Sequence, residues 1–197
     1  MTGLPPLGIA ALALLAERPM HPYEMYQVLI HRREDRNVKV RPGSLYHAVD
    51  KLEEHGLVTA TGVEREGNRP ERTSYAITDA GRDMLLSKIV SMLSTPADEY
   101  PEFPLAIANA FMLPAEQVVD LLGQRRERIA EQVASLEAAG RAVQSIELPA
   151  RFWLDANFQL AMLRAKLAWL DATIPDIADG TIDWSSPIPS NLKDTIA

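Results

Sequence analysis

The sequence predicts a mainly α-helical protein that contains one small β-hairpin. Three observations lead to this prediction. Apolar residues recur at helical spacing along most of the chain, between residues that favour helix ends. β-Branched residues flank a polar turn between residues 57 and 77. A proline-rich stretch at residues 94–104 then interrupts the chain, and helical periodicity resumes after it.

The first part of the chain reads as three helices, a hairpin and a fourth helix. The three helices run from Pro5–Pro6 to the residue before Pro19, from Pro22 to Arg33, and from Pro42 to Gly56. Residues 57–63 and 73–77 read as strands around a charged loop at 64–71, and Thr78 is the expected N-cap of a helix that continues to Leu93. This order is the plan of a winged helix-turn-helix, which we assign to residues 1–93.

The second part reads as helical throughout. After a linker at residues 94–103 we expect an α-helical dimerisation domain at 104–174, with a short helix from Leu105, a long helix over about 114–146 and a last helix over 150–174. Leu122, Ile129, Leu136 and Val143 recur every seven residues in the long helix, which indicates a coiled-coil-like arm. Residues 175–197 lack periodicity and are expected to form an irregular tail.

The last predicted helix carries two apolar stripes about 140° apart. A surface helix needs one apolar face, so a helix with two is expected to be covered from two directions, by its own chain and by a second copy. The stripe that begins at Trp153 is expected to form the dimer interface. Its residues are Trp153, Leu160, Leu163, Leu167, Leu170 and Ile174. Aromatic residues on this helix favour either packing alone or a pocket for a small aromatic effector, whose candidate residues are Phe152, Trp153, Phe158, Met162 and Trp169.

Composition excludes several classes of protein. The chain has no cysteine, and its four histidines share no ligand spacing, so we expect neither a metal nor another cofactor. No nucleophile motif or glycine-rich phosphate loop is present, so an enzyme is not expected. The apolar run Leu7–Ala16 is too short to cross a bilayer, which predicts a cytoplasmic protein without a membrane partner.

The charge distribution is compatible with a nucleic-acid partner. The net charge is −7, but residues 1–86 carry 11 basic and 12 acidic residues while residues 87–197 carry 9 and 15. The acidic excess therefore belongs to the second part of the chain, and a local basic patch between Arg32 and Lys51 is possible in the first.

The third helix is the candidate DNA reader. Ser44, His47 and Lys51 form a polar stripe opposite an apolar one, with Tyr46 beside it; an ordinary solvated helix shows the same pattern. The expected phosphate contacts are Arg32, Arg36, Lys39 and Arg41 near this helix, and Arg65, Arg69 and Arg72 in the loop between the strands.

Three segments of the first ninety residues resemble the PadR family of bacterial transcription regulators. They are LALLAERPMHPYEM (Leu12–Met25), RPGSLYHAVDKLEEHGLV (Arg41–Val58) and SYAITDAGRDML (Ser74–Leu85). Pro22 departs from the family, which more often has glycine there. The second part of the chain resembles the longer family members in architecture alone.

The resemblance implies a homodimeric winged-helix repressor that binds a palindromic operator in double-stranded DNA. It also implies that a small molecule changes the DNA affinity; phenolic acids give the family its name. The competing interpretation is a winged helix that serves as a protein-interaction adaptor and binds no DNA, which the acidic net charge favours weakly.

Overall fold

A computed structural model describes residues 4–64, 72–145 and 149–186 of the chain. The chain divides into two compact units, Met1–Glu99 and Tyr100–Ala197. The elements described in the first are α1 (Pro6–Glu17), α2 (Pro22–His31), α3 (Pro42–Glu54), β1 (Val58–Glu64), β2 (Arg72–Ile77) and α4 (Asp79–Ser94). Those in the second are α5 (Glu102–Ala108), α6 (Ala115–Ser145) and α7 (Leu154–Ala178), and single 3-10 turns lie at Glu34–Arg36, Ala110–Met112 and Ala150–Phe152. The predicted fold class, mainly α with one small hairpin, is confirmed.

Local sequence signals fix the ends of the first three helices. Each begins with a proline in its first turn, where the missing N–H costs nothing. α3 ends at Gly56, whose φ of +69° only glycine adopts without strain. There the Gly56 N–H donates to the Glu53 carbonyl and the Leu57 N–H to the Leu52 carbonyl, at 2.8 and 2.9 Å. This is a Schellman motif, and it directs the chain from α3 into β1.

The two strands form an antiparallel hairpin that is tied to the end of α1 and the start of α4. Val58 pairs with Ile77, the register shifts at Thr61, and an isolated bridge joins Met20 to Tyr75 on the outer side of β2. Thr78 caps α4 by accepting from the Gly81 N–H at 3.1 Å, as predicted, and its hydroxyl also donates to the Gly56 carbonyl at 2.8 Å.

The core of the first unit is built around α1. Leu12, Leu14 and Leu15 are buried, and α1 packs against α3, α4 and β2. α2 and α3 contribute fully buried apolar residues at three-, four- and seven-residue spacing: Met25, Leu29, Leu45, Val49 and Leu52. This burial leaves one side of α3 directed away from the core.

In the second unit α6 and α7 pack along each other. They run antiparallel, since Arg126 bonds to Asp171 at 2.5 Å and Arg164 bonds to Glu137 at 2.6 Å. The heptad residues of α6 lie in this packing: Leu122, Ile129 and Leu136 are buried. Val143, the fourth heptad residue, lies outside the described side chains.

Three expected boundaries in the second unit are wrong. The last helix begins at Leu154 rather than at residue 150, because Ala150–Phe152 form a separate 3-10 turn. The short helix begins at Glu102 rather than Leu105, because proline is tolerated in a first turn and Pro104 lies there. The last helix does not end before Pro175 but continues to Ala178, so residues 175–178 are not irregular. The buried side chain of Ile177 packs on the core between α6 and α7 and offsets the hydrogen bond that the proline cannot donate.

Within residues 4–64, 72–145 and 149–186, no helix combines the length and apolarity that a membrane crossing requires. Over the same ranges, no cluster of three or more histidine, aspartate or glutamate side chains is arranged to hold a metal ion.

Candidate functional site

α3 has one buried side and one exposed side. Leu45 and Val49 are completely buried, whereas Ser44, His47 and Lys51 are exposed. The polar stripe expected from the sequence is therefore presented away from the core on a rigid helix of 13 residues. A hydroxyl, an imidazole and an ammonium group along one such face offer hydrogen bonds to base edges and phosphates.

Tyr46 and His21 connect α3 to the start of α2. The two rings meet edge to face with centroids 5.8 Å apart, and Tyr46 keeps 40% of its surface exposed. The Nδ1 atom of His21 accepts a hydrogen bond from the Tyr23 N–H at 3.0 Å and caps α2. This contact holds the two helices of the helix-turn-helix in a fixed relation and leaves part of the Tyr46 ring at the surface.

Three of the basic candidates are engaged by the chain itself. Arg32 donates to both carboxylate oxygens of Glu17, at 2.5 and 2.8 Å, and thereby links α2 to α1. These bonds from Arg32 are the main reason that the pKa of Glu17 lies below its ordinary value of 4.5. The Lys51 ammonium pairs with Glu54 at 2.6 Å, and Arg36 Nε donates to a backbone carbonyl of its own turn at 3.0 Å.

Lys39 and Arg41 are differently placed. Both side chains are exposed, and neither forms an ion pair with another described residue. Arg41 is the N-cap residue of α3, so its guanidinium lies near the positive end of the helix dipole. A helix N-terminus with adjacent free cations is suited to binding a phosphate.

Arg33 is a further exposed cation that the sequence interpretation left out of the site. It has a φ of +60° between α2 and the following 3-10 turn, a left-handed conformation that is uncommon for arginine. The sequence offered two signals: Arg33 is the predicted last residue of the second helix, and it lies in the basic patch between Arg32 and Lys51. It lies on the same connection to α3 as Lys39 and Arg41.

The loop between the strands contributes little that can be described. Arg65 and Arg69 lie outside the described residues. Arg72 begins β2, where its backbone pairs with Glu64, and its side chain also lies outside the described part.

The two apolar stripes of α7 differ in their exposure. Leu160, Leu163, Leu167, Leu170 and Ile174 pack against α6 of the same chain, in a cluster that includes Val118 and Ile129. The other stripe is the uncovered one: Phe158 is 66% exposed, Met162 43% and Trp169 42%. Trp153 was predicted both for the dimer interface and for the effector pocket. It is partly buried, and its Nε1 has no hydrogen-bond partner among the described residues.

Two cavities of about 520 and 290 Å³ lie within the second unit. Met162 and Trp169, two of the five expected effector residues, line the smaller one. Phe152, Trp153 and Phe158 line neither cavity. The predicted effector residues did not include four that line both cavities: Phe103, Arg125, Ile129 and Lys166.

The first unit thus has the defining parts of a winged helix-turn-helix: three helices, an antiparallel hairpin after the third helix, and an exposed polar side on that helix. Comparison with protein families narrows this class. Residues 11–87 match the profile described as "Transcriptional regulator PadR-like family". Over these residues the chain is similar to a family of transcription regulators.

Solved structures share the fold over most of the chain. The crystal structure of Bacillus subtilis PadR in complex with operator DNA has a TM-score of 0.74 and 19% identity, over 87% of this chain and 98% of that one. PadR of the same organism in complex with p-coumaric acid has a TM-score of 0.72 and 18% identity, again over 87% of this chain and 98% of that one. A PadR-like regulator from Bacillus cereus has a TM-score of 0.63 and 15% identity, over 88% of this chain and 98% of its own. No curated protein matches the chain in sequence.

Proposed function

We propose that this PadR-like regulator is a homodimeric repressor that binds a palindromic operator through α3 and is released by a small aromatic effector. The observation that carries the DNA-binding part is the exposed side of α3. Ser44 and His47 lie there opposite a fully buried face. Just before the helix, Lys39 and Arg41 are exposed and form no ion pair with another described residue.

The proposed roles follow from the chemistry of these side chains. Ser44 and His47, near the N-terminal end of α3, donate to or accept from base edges in the major groove. Lys39, Arg41 and the unpaired N–H groups of the first turn of α3 bind phosphates and set the register of the protein on the duplex. Lys51 exchanges Glu54 for a phosphate at little cost, because an exposed ion pair contributes only about 0–1 kcal/mol.

Arg32 has a different role in this proposal. Its two hydrogen bonds to Glu17 join α1 to α2, so it supports the helix-turn-helix rather than contacting phosphate. Removing a phosphate contact lowers the salt dependence of binding, whereas removing a support lowers stability. The two roles can therefore be separated by experiment.

Assignment of residues 1–93 to DNA binding and 104–174 to dimerisation is part of the proposal. Its support is that the boundary between the two compact units, after Glu99, falls inside the proposed linker at 94–103. The dimer contact is now assigned to the uncovered stripe of α7, with Phe158, Met162 and Trp169. Two α3 helices that read the halves of a palindrome are expected to lie about 34 Å apart, one turn of DNA.

Similarity of fold to Bacillus subtilis PadR supports the proposal, since that protein has been solved both with operator DNA and with p-coumaric acid. The identity is below 20%, so the roles proposed here depend on this chain's own residues.

The test is fluorescence anisotropy with DNA selected from a random library, across a salt series. We expect sequence-selective binding, and we expect Lys39→Ala and Arg41→Ala each to reduce the slope of log affinity against log salt by about one. Arg141→Ala, on an exposed part of α6, is the matched control and leaves the slope unchanged. An unchanged slope in both variants would refute the assigned contacts, and no binding at low salt would favour the adaptor.

The dimer is tested separately by sedimentation equilibrium. Phe158→Glu places a charge on the uncovered stripe and shifts the chain toward monomer. Leu86→Glu, at an exposed apolar position of α4, is the control. A dimer that tolerates Phe158→Glu excludes this stripe as the contact.

A further inference from the structure

Asp50 is an exposed carboxylate on the side of α3 that is proposed to face DNA. The three buried residues of the helix define the middle of its buried side. At 100° per residue, the opposite direction lies about 10° from His47, about 50° from Asp50 and about 70° from Ser44. Asp50 therefore lies nearer to the middle of the exposed side than Ser44, to which a base contact is assigned.

The acceptor oxygens of Asp50 are available. They form no hydrogen bond or ion pair with another residue in the part of the chain that the structure describes. Glu54, also near the middle of this side, already pairs with Lys51 at 2.6 Å. Glu53 lies at the border of the exposed side, about 110° from its middle. Asp50 is thus the acidic residue of α3 that is both directed outward and without an ion-pair partner among the described residues.

Spacing along the helix places Asp50 in line with the two proposed base contacts. Ser44, His47 and Asp50 follow one another at three-residue intervals, with about 4.5 Å of helix rise per step. In zinc fingers, which also place a helix in the major groove, residues at this spacing contact three successive bases. If α3 directs Ser44 and His47 at base edges, the same geometry brings Asp50 to the next base pair.

A carboxylate in the major groove distinguishes sharply between the four bases, because its oxygens only accept hydrogen bonds. On its own edge guanine presents two acceptors, thymine an acceptor and a methyl group, and adenine a donor beside an acceptor. Cytosine presents the N4 amino donor without an acceptor on the same edge. Opposite any other base, the carboxylate loses hydration without full replacement, which disfavours that sequence.

We propose that Asp50 is a specificity-determining residue that accepts a hydrogen bond from N4 of a cytosine, at the base pair next to the one that His47 contacts. Its negative charge is repelled by phosphates at every sequence, and the cytosine compensates for this only in the operator. Asp50 therefore weakens non-specific binding more than operator binding. The inference rests on the proposed binding of DNA through α3, and it adds the identity of one base in each half of the palindrome.

The test is selection of binding sites from a random DNA library, followed by sequencing, with the full wild-type chain, Asp50→Ala and Asp50→Asn. We expect the wild type to prefer cytosine at one position of each half-site, with binding about tenfold weaker when another base replaces it. Asp50→Ala should lose this preference and keep those at other positions. Asp50→Asn should change the preferred base to adenine, because an amide bonds to both N6 and N7 of adenine.

Asp83→Asn is the matched control, since it removes the same charge from an exposed position of α4. It should leave every base preference unchanged, which separates the long-range effect of one charge from a contact. The two variants at position 50 are independent of each other. The change of preferred base in Asp50→Asn therefore decides the matter even if Asp50→Ala folds poorly.

Two results would overturn the inference. Tighter binding of both Asp50 variants to all sequences, with unchanged preferences, would mean that the carboxylate only repels phosphates. Loss of the same base preference in His47→Ala and Asp50→Ala would mean that Asp50 acts through His47. Failure of the proposed function has a different outcome, a wild-type chain that selects no sequence at all. A selective wild type with unaltered preferences in the variants refutes only the role of Asp50.

Discussion

Replacing Gly81 with alanine tests how α4 is held against the hairpin. Gly81 is buried in the first turn of α4. A Cβ atom there would lie 2.1 Å from the Leu57 carbonyl oxygen and 2.8 Å from Cγ1 of Ile77. The oxygen cannot simply move away, since it also accepts the Thr78 N–H at 3.1 Å. α4 therefore has to shift by more than 1 Å from the start of β1.

Several terms contribute to the expected change in the free energy of unfolding. Overpacking of this kind costs about 1–3 kcal/mol. The shift also weakens the Thr78 cap, which is worth about 1 kcal/mol. Alanine favours helix over glycine by about 1 kcal/mol, which offsets part of this cost. We expect a net loss of ~2 kcal/mol, or a decrease of about 10 °C in the Tm of a unit of this size.

The assay is thermal unfolding followed by circular dichroism. Tryptophan emission is unsuitable, because all three tryptophans, Trp153, Trp169 and Trp184, belong to the second unit. Gly140→Ala is the matched control: this glycine lies inside α6, and a Cβ there meets nothing within 4 Å. It should stabilise the chain slightly, by up to ~1 kcal/mol. Equal stability of Gly81→Ala and the wild-type chain would refute the close approach of α4 to β1.

Three further changes test individual hydrogen bonds. Thr78→Val removes the hydroxyl that caps α4 and should lower the urea midpoint by the equivalent of about 1 kcal/mol, whereas Thr78→Ser should restore most of it. The pKa of Glu17 is lowered by Arg32, so this pair stabilises the fold above pH 4.5 and ceases to do so as the pH falls through the lowered pKa. The Tm should therefore fall in acid less steeply in Arg32→Gln than in the wild-type chain; the pair is exposed, so the difference should stay below ~1 kcal/mol. Trp184→Phe loses the bond from Nε1 to the Leu113 carbonyl, 2.9 Å long, and should expose the segment after α7 to limited proteolysis at a protease concentration that leaves the wild-type chain intact.

The order of elements in the first unit could be predicted because local residues mark each boundary. Prolines begin α1, α2 and α3, Gly56 ends α3, and the Thr78 hydroxyl begins α4. Each of these signals acts within a few residues of the chain. They are therefore visible in a sequence without knowledge of tertiary contacts.

Boundaries that depend on tertiary packing could not be predicted in this way. Pro175 is a local stop signal, yet α7 continues because Ile177 reaches the core formed with α6. The two stripes of α7 posed the same problem. Both are apolar, and the choice of which one faces α6 depends on the angle at which the helices pack. The sequence predicts two apolar faces on α7, but it does not say which of them packs against α6 and which one is left exposed.

The availability of a charged side chain is likewise a tertiary property. Arg32 and Arg41 are the same type of residue and lie on either side of the same connection in the sequence. Only Arg32 bonds to Glu17, which precedes it by fifteen residues. The same reasoning applies to the cations of the second unit. Arg164 bonds to Glu137 on α6. The cation with an unused buried donor is Arg125, which packs on Phe103 from another helix. A guanidinium already paired gains little from an added anion, whereas one buried without an acceptor would gain a full charge-assisted hydrogen bond.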